Sequence, residues 1–366
     1  MKILICVTYL SGGGAERVAT LWAKGFVNEG YEVALCLNTD NTTVSYPVPD
    51  VVTIFNVYKK ENRFLRGVGV GVAFRLRKIL KSYKPDVIIG VLPSWCLIIW
   101  MAKIGLNIPF VDTEHNAFER PKEAPMRWRE KTDKFIFSKL ADGMTVLTRS
   151  DYNIIGVKRN NTFVMPNPLA FETLKEVTKK ETIILACGRL DAWYTKGFDL
   201  LIEAWGKIAN KYKDWMLVIA GDGLEPNKNF LQELSEKNGL TMKNFHMIGR
   251  CDDIKKIYQN SSIFVLSSRF EGFGMVLTEA MSQGCACIAC DYKGRQADII
   301  KNGDEGLVIS TGNSDIIAKS ITGLIEDDSL RIKYQMAAMR RSYDYTLEKV
   351  MDKWNEVFNA IIRGGV

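Results

Sequence analysis

The stretch Ile263-Phe264-Val265-Leu266-Ser267-Ser268-Arg269-Phe270-Glu271-Gly272-Phe273-Gly274-Met275-Val276-Leu277-Thr278-Glu279-Ala280-Met281-Ser282-Gln283-Gly284 decides how the chain is to be read. Its apolar opening is a strand buried on both faces, as in a parallel sheet. Gly272 and Gly274 disfavour a helix before about residue 274, and the residues after them are good helix formers. Glu271 therefore belongs to a loop and Glu279 to the second turn of the helix. The backbone N–H groups of Phe273, Gly274, Met275 and Val276 are then left free at the positive end of the helix dipole, a place that suits an anionic or polyhydroxyl ligand. On these residues alone a second reading stays open, in which Glu271 is a plain loop charge and Glu279 part of a solvated helix face.

Working outward, strand-like apolar runs alternate with amphipathic stretches along the whole chain, the pattern of parallel sheets covered by helices. Before the Met165-Pro166-Asn167-Pro168 break, strands are expected near 2–7, 32–37, 52–57, 86–92, 108–112, 143–147 and 162–165. Helices are expected near 15–29, 63–83, 94–105, 126–139 and 149–156. After the break the alternation restarts at Thr182. The fold class is α/β, with two doubly wound, Rossmann-like domains facing each other across a ligand cleft. The expected boundaries are 1–168, 169–345 and a final segment, 346–366, whose helix carries Val350, Met351, Trp354, Val357, Phe358 and Ile361 at helical spacing and packs back toward the first domain.

A chain of 366 residues with 47% hydrophobic and 25% charged residues is an ordinary globular protein with room for two domains. The apolar start, Met1 to Val7, has no cleavage site after it and reads as a first strand. Val87 to Leu106 is apolar enough to suggest a membrane span, but Pro93, Ser94 and Lys103 divide it into strand and helix. Cysteines inside apolar runs, such as Cys6, Cys36 and Cys187, behave as reduced core residues, which points to the cytoplasm. Cys285, Cys287 and Cys290 have a metal-like spacing, yet strand alternation divides them between two faces and no second pair or histidine lies nearby, so no metal is expected.

The net charge of +7 is uneven: residues 1–168 hold 23 Lys/Arg against 15 Asp/Glu, and the remainder is close to neutral. Much of the excess sits in the segment from Lys59 to Lys84, which has nine Lys/Arg and one acid interleaved with Phe64, Leu65, Val72, Phe74, Leu76, Ile79 and Leu80. Such a segment suits an anionic membrane surface; a solvated helix face over the sheet is the alternative. Gly12-Gly13-Gly14 follows the first strand, but Arg17 breaks the dinucleotide fingerprint and no P-loop occurs. The glycines still let a ligand approach the backbone closely, or simply make a tight turn. Of the two histidines, His246 lies in an apolar strand and reads as structural, whereas His115 follows the strand ending at Asp112.

Taken together, Gly12-Gly13-Gly14-Ala15-Glu16-Arg17, Gly188-Arg189-Leu190 with Lys196-Gly197-Phe198-Asp199, Ala220-Gly221-Asp222-Gly223 and the Glu271/Glu279 pair resemble, in order and across nearly the whole chain, the retaining GT-B glycosyltransferases of group 1, or family 4. The resemblance implies that Glu271 binds hydroxyls of the donor sugar and that Glu279 holds the ribose. It also implies that Arg189 and Lys196 neutralise the diphosphate, which makes a metal or other cofactor unnecessary. By the same resemblance His115 lies near the transferred sugar, Gly249-Arg250 contacts the nucleobase, and the basic segment faces the membrane as in members that act on lipid-linked precursors. The pattern is broken where Cys285 or Cys287 replaces a proline after Gly284, and where Lys293-Gly294 to Asp298 stands for a Gly-Gly-x-x-Glu element, which puts the loop near the donor sugar outside the family's usual form.

The expected function is metal-independent transfer of a hexose or N-acetylhexosamine, from a UDP-sugar by preference, to a lipid-linked saccharide at the inner face of the membrane. Two rivals remain. One is a nucleotide-sugar epimerase of the same architecture; the other is a non-catalytic sugar-nucleotide or nucleic-acid binding module. The latter lacks a recognition motif, so no nucleic-acid partner is expected.

Overall fold

The computed structural model describes residues 1–41, 43–60, 69–155, 159, 161–251 and 253–363. They form two units. The first comprises Met1–Pro168 with Leu347–Val366, the second Leu169–Thr346.

The first unit is built on seven parallel strands: β1 (Lys2–Val7), β2 (Glu32–Leu37), β3 (Thr53–Asn56), β4 (Val87–Val91), β5 (Phe110–Thr113), β6 (Gly143–Val146) and β7 (Thr162–Val164), in the order β3-β2-β1-β4-β5-β6-β7. Apolar β-branched residues fill β1 and β4, which are buried along almost their full length because helices cover both faces. Helix α1 (Gly14–Asn28) buries Val18, Trp22 and Phe26. Against them lie Trp354 and Phe358 of the C-terminal helix (Leu347–Phe358), with ring centroids 5.0 Å apart for Trp22 and Trp354 and 5.6 Å for Phe26 and Phe358.

Helix α2 (Val70–Tyr83) buries Val72, Ala73, Leu76 and Leu80. The first residues of the helix expected over 63–83, among them Phe64, Leu65, Arg63 and Arg66, lie outside the described residues. Val87 to Leu106 divides as β4, a short turn at Pro93–Trp95 and a helix at Cys96–Lys103. Among the described residues no helix is long and apolar enough to cross a membrane. The helix expected over 126–139 is shorter: α3 (Trp128–Phe135) stops where Ile136 departs from helical geometry, and a 3-10 turn follows at Phe137–Leu140.

The second unit repeats the plan with β8 (Glu181–Cys187), β9 (Met216–Ala220), β10 (Phe245–Met247), β11 (Ser261–Leu266), β12 (Ala286–Asp291) and β13 (Leu307–Ser310), ordered β10-β9-β8-β11-β12-β13 and all parallel. Its core gathers Leu201, Trp205, Leu217, Ile219, Ile263 and Ile288. Helix α4 (Met275–Ser282) follows β11. Cys285, Cys287 and Cys290 are buried, unpaired thiols, and burial pushes Cys285 and Cys290 up to about 12. In both sheets the strand order reverses beside the central strand, between β1 and β4 and between β8 and β11, the place where α/β sheets take ligands at their carboxyl ends.

Candidate functional site

In the second unit the loops leaving β8 and β11 meet. The β8 loop carries Gly188, Arg189 and the single helical turn Trp193–Lys196. Gly197 follows in a left-handed conformation, φ +64°, and a side-chain carbon there would lie 2.0 Å from the carbonyl oxygen of Ser267. Only glycine permits that approach, so the two loops are joined main chain to main chain. The Ser267 hydroxyl donates to the Lys196 carbonyl (2.8 Å), and the Arg269 N–H donates to the Thr195 carbonyl (2.8 Å). The Arg269 guanidinium completes the staple with two 2.7 Å bonds to Asp199 and stacks on Tyr194.

This brings Lys196 to Glu271. Its ammonium lies 2.6 Å from Glu271 Oε1, which also accepts from the Ser268 hydroxyl at 2.7 Å. Both partners are partly open to solvent. Three residues on, Gly274 caps α4 at φ +86°, and helix geometry leaves the N–H groups of Met275 and Val276 without partners inside the helix. Glu279 is 3% exposed, which rules out the solvated-face reading, and accepts a 3.2 Å bond from the buried Tyr258 hydroxyl. Burial holds the Tyr258 pKa well above its ordinary value, so it stays a donor. The Phe273 ring is buried against Tyr345, which leaves its main chain as the part free to meet a ligand.

Arg189 is exposed and makes no hydrogen bond or ion pair with a described residue. Asp191, its alternative partner, is occupied by the Leu224 N–H (2.7 Å) and the Asn227 amide (2.8 Å). Arg250 is exposed at the end of the β10 loop, where the Gly249 carbonyl accepts from the Gly221 N–H at 2.9 Å. Arg189 and Lys196 thus supply the cations, and Glu271 and Glu279 the acceptors, around the carboxyl ends of β8 and β11.

In the first unit His115 follows β5. Its Nε2 lies 3.2 Å from the Thr113 hydroxyl, and its ring packs against Trp22 at 5.4 Å. Burial pushes the imidazole down to about 4, opposed by Asn167 beside it. It is neutral at physiological pH. Its Nδ1 and the Oδ1 of the neighbouring Asn167 are both buried and meet no partner at full hydrogen-bond geometry among the described residues. At the carboxyl end of β1, Gly12 takes φ +76°, Gly13 precedes α1 and Gly14 begins it.

Sequence reasoning missed Asn167, Tyr258, Ser268 and the Arg269–Asp199 staple. Asn167 lies in the proline-flanked boundary Met165-Pro166-Asn167-Pro168, which carries no ligand signal of its own. Ser268 lies only three residues from Glu271, in a loop whose turn the sequence did not specify, while Tyr258 and the staple act across separations of 21 and 70 residues that no local pattern reports.

Comparisons with known proteins bear on the family and the fold. Residues 171–341 match the family described as glycosyl transferases group 1, and residues 12–169 match glycosyltransferase family 4. An amylovoran biosynthesis glycosyltransferase of Erwinia amylovora is 28% identical, covering 98% of this chain and 99% of its own length. A Campylobacter jejuni transferase is 27% identical over 97% of both chains; its name describes an alpha-1,4-N-acetyl-D-galactosaminyltransferase acting on a GalNAc-GalNAc-diNAcBac-PP-undecaprenol. The crystal structure of Staphylococcus aureus TarM with UDP and alpha-GlcNAc-glycerol superposes with a TM-score of 0.79 at 15% identity, covering 98% of this chain and 99% of that one. The fold is that of the GT-B glycosyltransferases. Within that class the chain belongs to the group 1 glycosyltransferases.

Proposed function

We propose that the protein is a retaining, metal-independent glycosyltransferase that moves a hexose or N-acetylhexosamine from a UDP-sugar to a lipid-linked saccharide at the cytoplasmic face of a membrane. The observation that carries the reading is the Lys196–Glu271 pair beside the N-terminus of α4. Without donor, each group neutralises the other. A diphosphate would draw the ammonium away, joined by Arg189, and release Glu271 to accept from sugar hydroxyls. Two fixed cations then meet the charge that gathers on the leaving diphosphate, which is the task a metal ion performs elsewhere. Glu279, held by Tyr258, is suited to a ribose diol. The neutral His115 with Asn167 offers hydrogen bonds to the sugar and does not act as a strong base.

The relatives whose names include amylovoran synthesis or a PP-undecaprenol substrate, and the UDP-bound neighbour, support the donor and acceptor classes. The membrane partner rests on the exposed part of the basic segment, Phe74 with Lys78 over its ring. Arg75 and Arg77 are occupied otherwise, donating to the carbonyls of Val57 and of Ala102 and Ile104. Vesicle flotation should therefore be lost on changing Phe74→Ser with Lys78→Glu, at unchanged melting temperature; undiminished flotation would refute the membrane partner.

The test of the activity is release of nucleoside diphosphate from a panel of nucleotide sugars, with lipid-linked acceptor, with and without chelator. Glu271→Ala and Lys196→Ala should each lower kcat/KM by at least about 100-fold, the scale of losing a group that stabilises transition-state charge. A chelator that abolishes turnover would sink the metal-free reading, and near-normal turnover by Glu271→Ala would sink the site.

A further inference from the structure

The first unit contains a second feature that neither His115 nor the glycine loop uses. At the carboxyl ends of β4 and β5, beside α3, lies a cavity of about 370 Å³, within the roughly 300–1,000 Å³ range of small-molecule sites. Its charges are mostly satisfied. Arg120 lies 2.5 Å from Glu130, and the buried Lys134 lies 3.3 Å from Glu114 while donating to the carbonyls of Asn116 and Ala117. Two lining cations remain: Arg127 and Arg129 are exposed and make no hydrogen bond or ion pair with a described residue, and the only lining acid left to oppose them is Asp133. Trp128, between the two arginines in sequence and outside the cavity lining, is 80% exposed, a large aromatic ring with no core to fill.

Two guanidinium groups outside any close ion pair, with only Asp133 acting on Arg129 at longer range, line a cavity together and suit a phosphate group, for which arginine is the preferred partner. An exposed tryptophan between them in sequence suits an amphiphile, since such rings settle at the membrane interface. Resting on the reading of the acceptor as lipid-linked, we propose that Arg127 and Arg129 bind the diphosphate of a polyprenyl-diphosphate saccharide. Its first sugar occupies the cavity, and its chain passes Trp128 toward the bilayer.

The probe is geranyl diphosphate, which carries the diphosphate and a short prenyl chain but no sugar, with binding measured by calorimetry. Its diphosphate also fits the donor site, so the measurement is made in Arg189→Ala/Lys196→Ala protein, where that site is disabled. Binding should persist there and weaken at least tenfold on adding Arg127→Ala/Arg129→Ala, with partial recovery in the double lysine variant. In otherwise wild-type protein, Arg127→Ala/Arg129→Ala should leave UDP binding and the melting temperature unchanged. Affinity for geranyl diphosphate that is indifferent to Arg127 and Arg129, or absent once the donor site is disabled, would overturn the proposal. Because no transfer is needed, this outcome is separate from that of the activity. A chain that releases UDP with a soluble saccharide but ignores geranyl diphosphate would keep the transferase reading and lose this site.

Discussion

Asp112, near the end of β5, is fully buried, and burial pushes its carboxyl up to about 8, with the nearby charge of Glu114 adding to the effect. A carboxyl raised in the folded state holds a proton that the unfolded chain has already lost, so folding stability falls as pH rises from about 4 to about 8. His115 works in the other direction. With a folded pKa of about 4, below its unfolded value of about 6.5, it makes stability rise with pH between those limits. The two oppose each other up to about pH 6.5, and above it Asp112 acts without that counterweight. Denaturant melts at pH 6.5 and 8 should therefore show the first unit losing up to about 1.4 kcal/mol per pH unit, and Asp112→Asn should flatten that slope. A slope unchanged by the substitution would show another group to be responsible. At this scale the sequence was partly legible. Gly272 and Gly274 announced a loop carboxylate at Glu271, because glycines end strands and delay helices within a few residues. Asn167 and Tyr258 gave no such sign, since the first faces His115 and the second reaches Glu279 only after the sheet has formed.

At the scale of elements, the alternation of buried strands with amphipathic helices was readable almost throughout, because parallel strands buried on both faces leave continuous apolar runs. The ends were less so. α3 stops at Phe135 through the local geometry of Ile136, and the joining of the β8 and β11 loops depends on tertiary contact. Gly197 gave a turn but not its partner, and the bidentate Arg269–Asp199 bond spans 70 residues. That bond holds the loop bearing Glu271 against the turn bearing Lys196, so it positions the pair without touching a ligand. Arg269→Ala should lower kcat roughly tenfold or more through misplacement, with little change in melting temperature, and Arg269→Lys should recover only part because one ammonium cannot make the bidentate bond. Equal loss of kcat and of melting temperature would mean that the staple merely supports the fold.

For the molecule as a whole, the two parallel sheets followed from the sequence, and the contact that completes the first unit comes from the far end of the chain. The C-terminal helix buries Val350, Met351, Trp354, Val357 and Phe358. At about 1.5–3 kcal/mol for each large apolar side chain removed from water, their loss outweighs much of the 5–15 kcal/mol that stabilises a domain. Protein ending at residue 346 should lose the native melting of the first unit, detected as protease sensitivity of residues 1–168, while the second unit keeps its own cooperative transition and binds UDP. A truncated chain with both transitions intact would contradict this.

The same helix also bears on how the chain is made. The first unit is synthesised first but lacks part of its core until Leu347–Phe358 leaves the ribosome, whereas the second unit, Leu169–Thr346, is contiguous and has all its strands earlier. During translation the second half is then expected to reach its native state ahead of the first. For that interval Trp22 and Phe26 stay uncovered on a nascent chain, a surface that chaperones bind and that a stop codon before Leu347 would leave exposed for good.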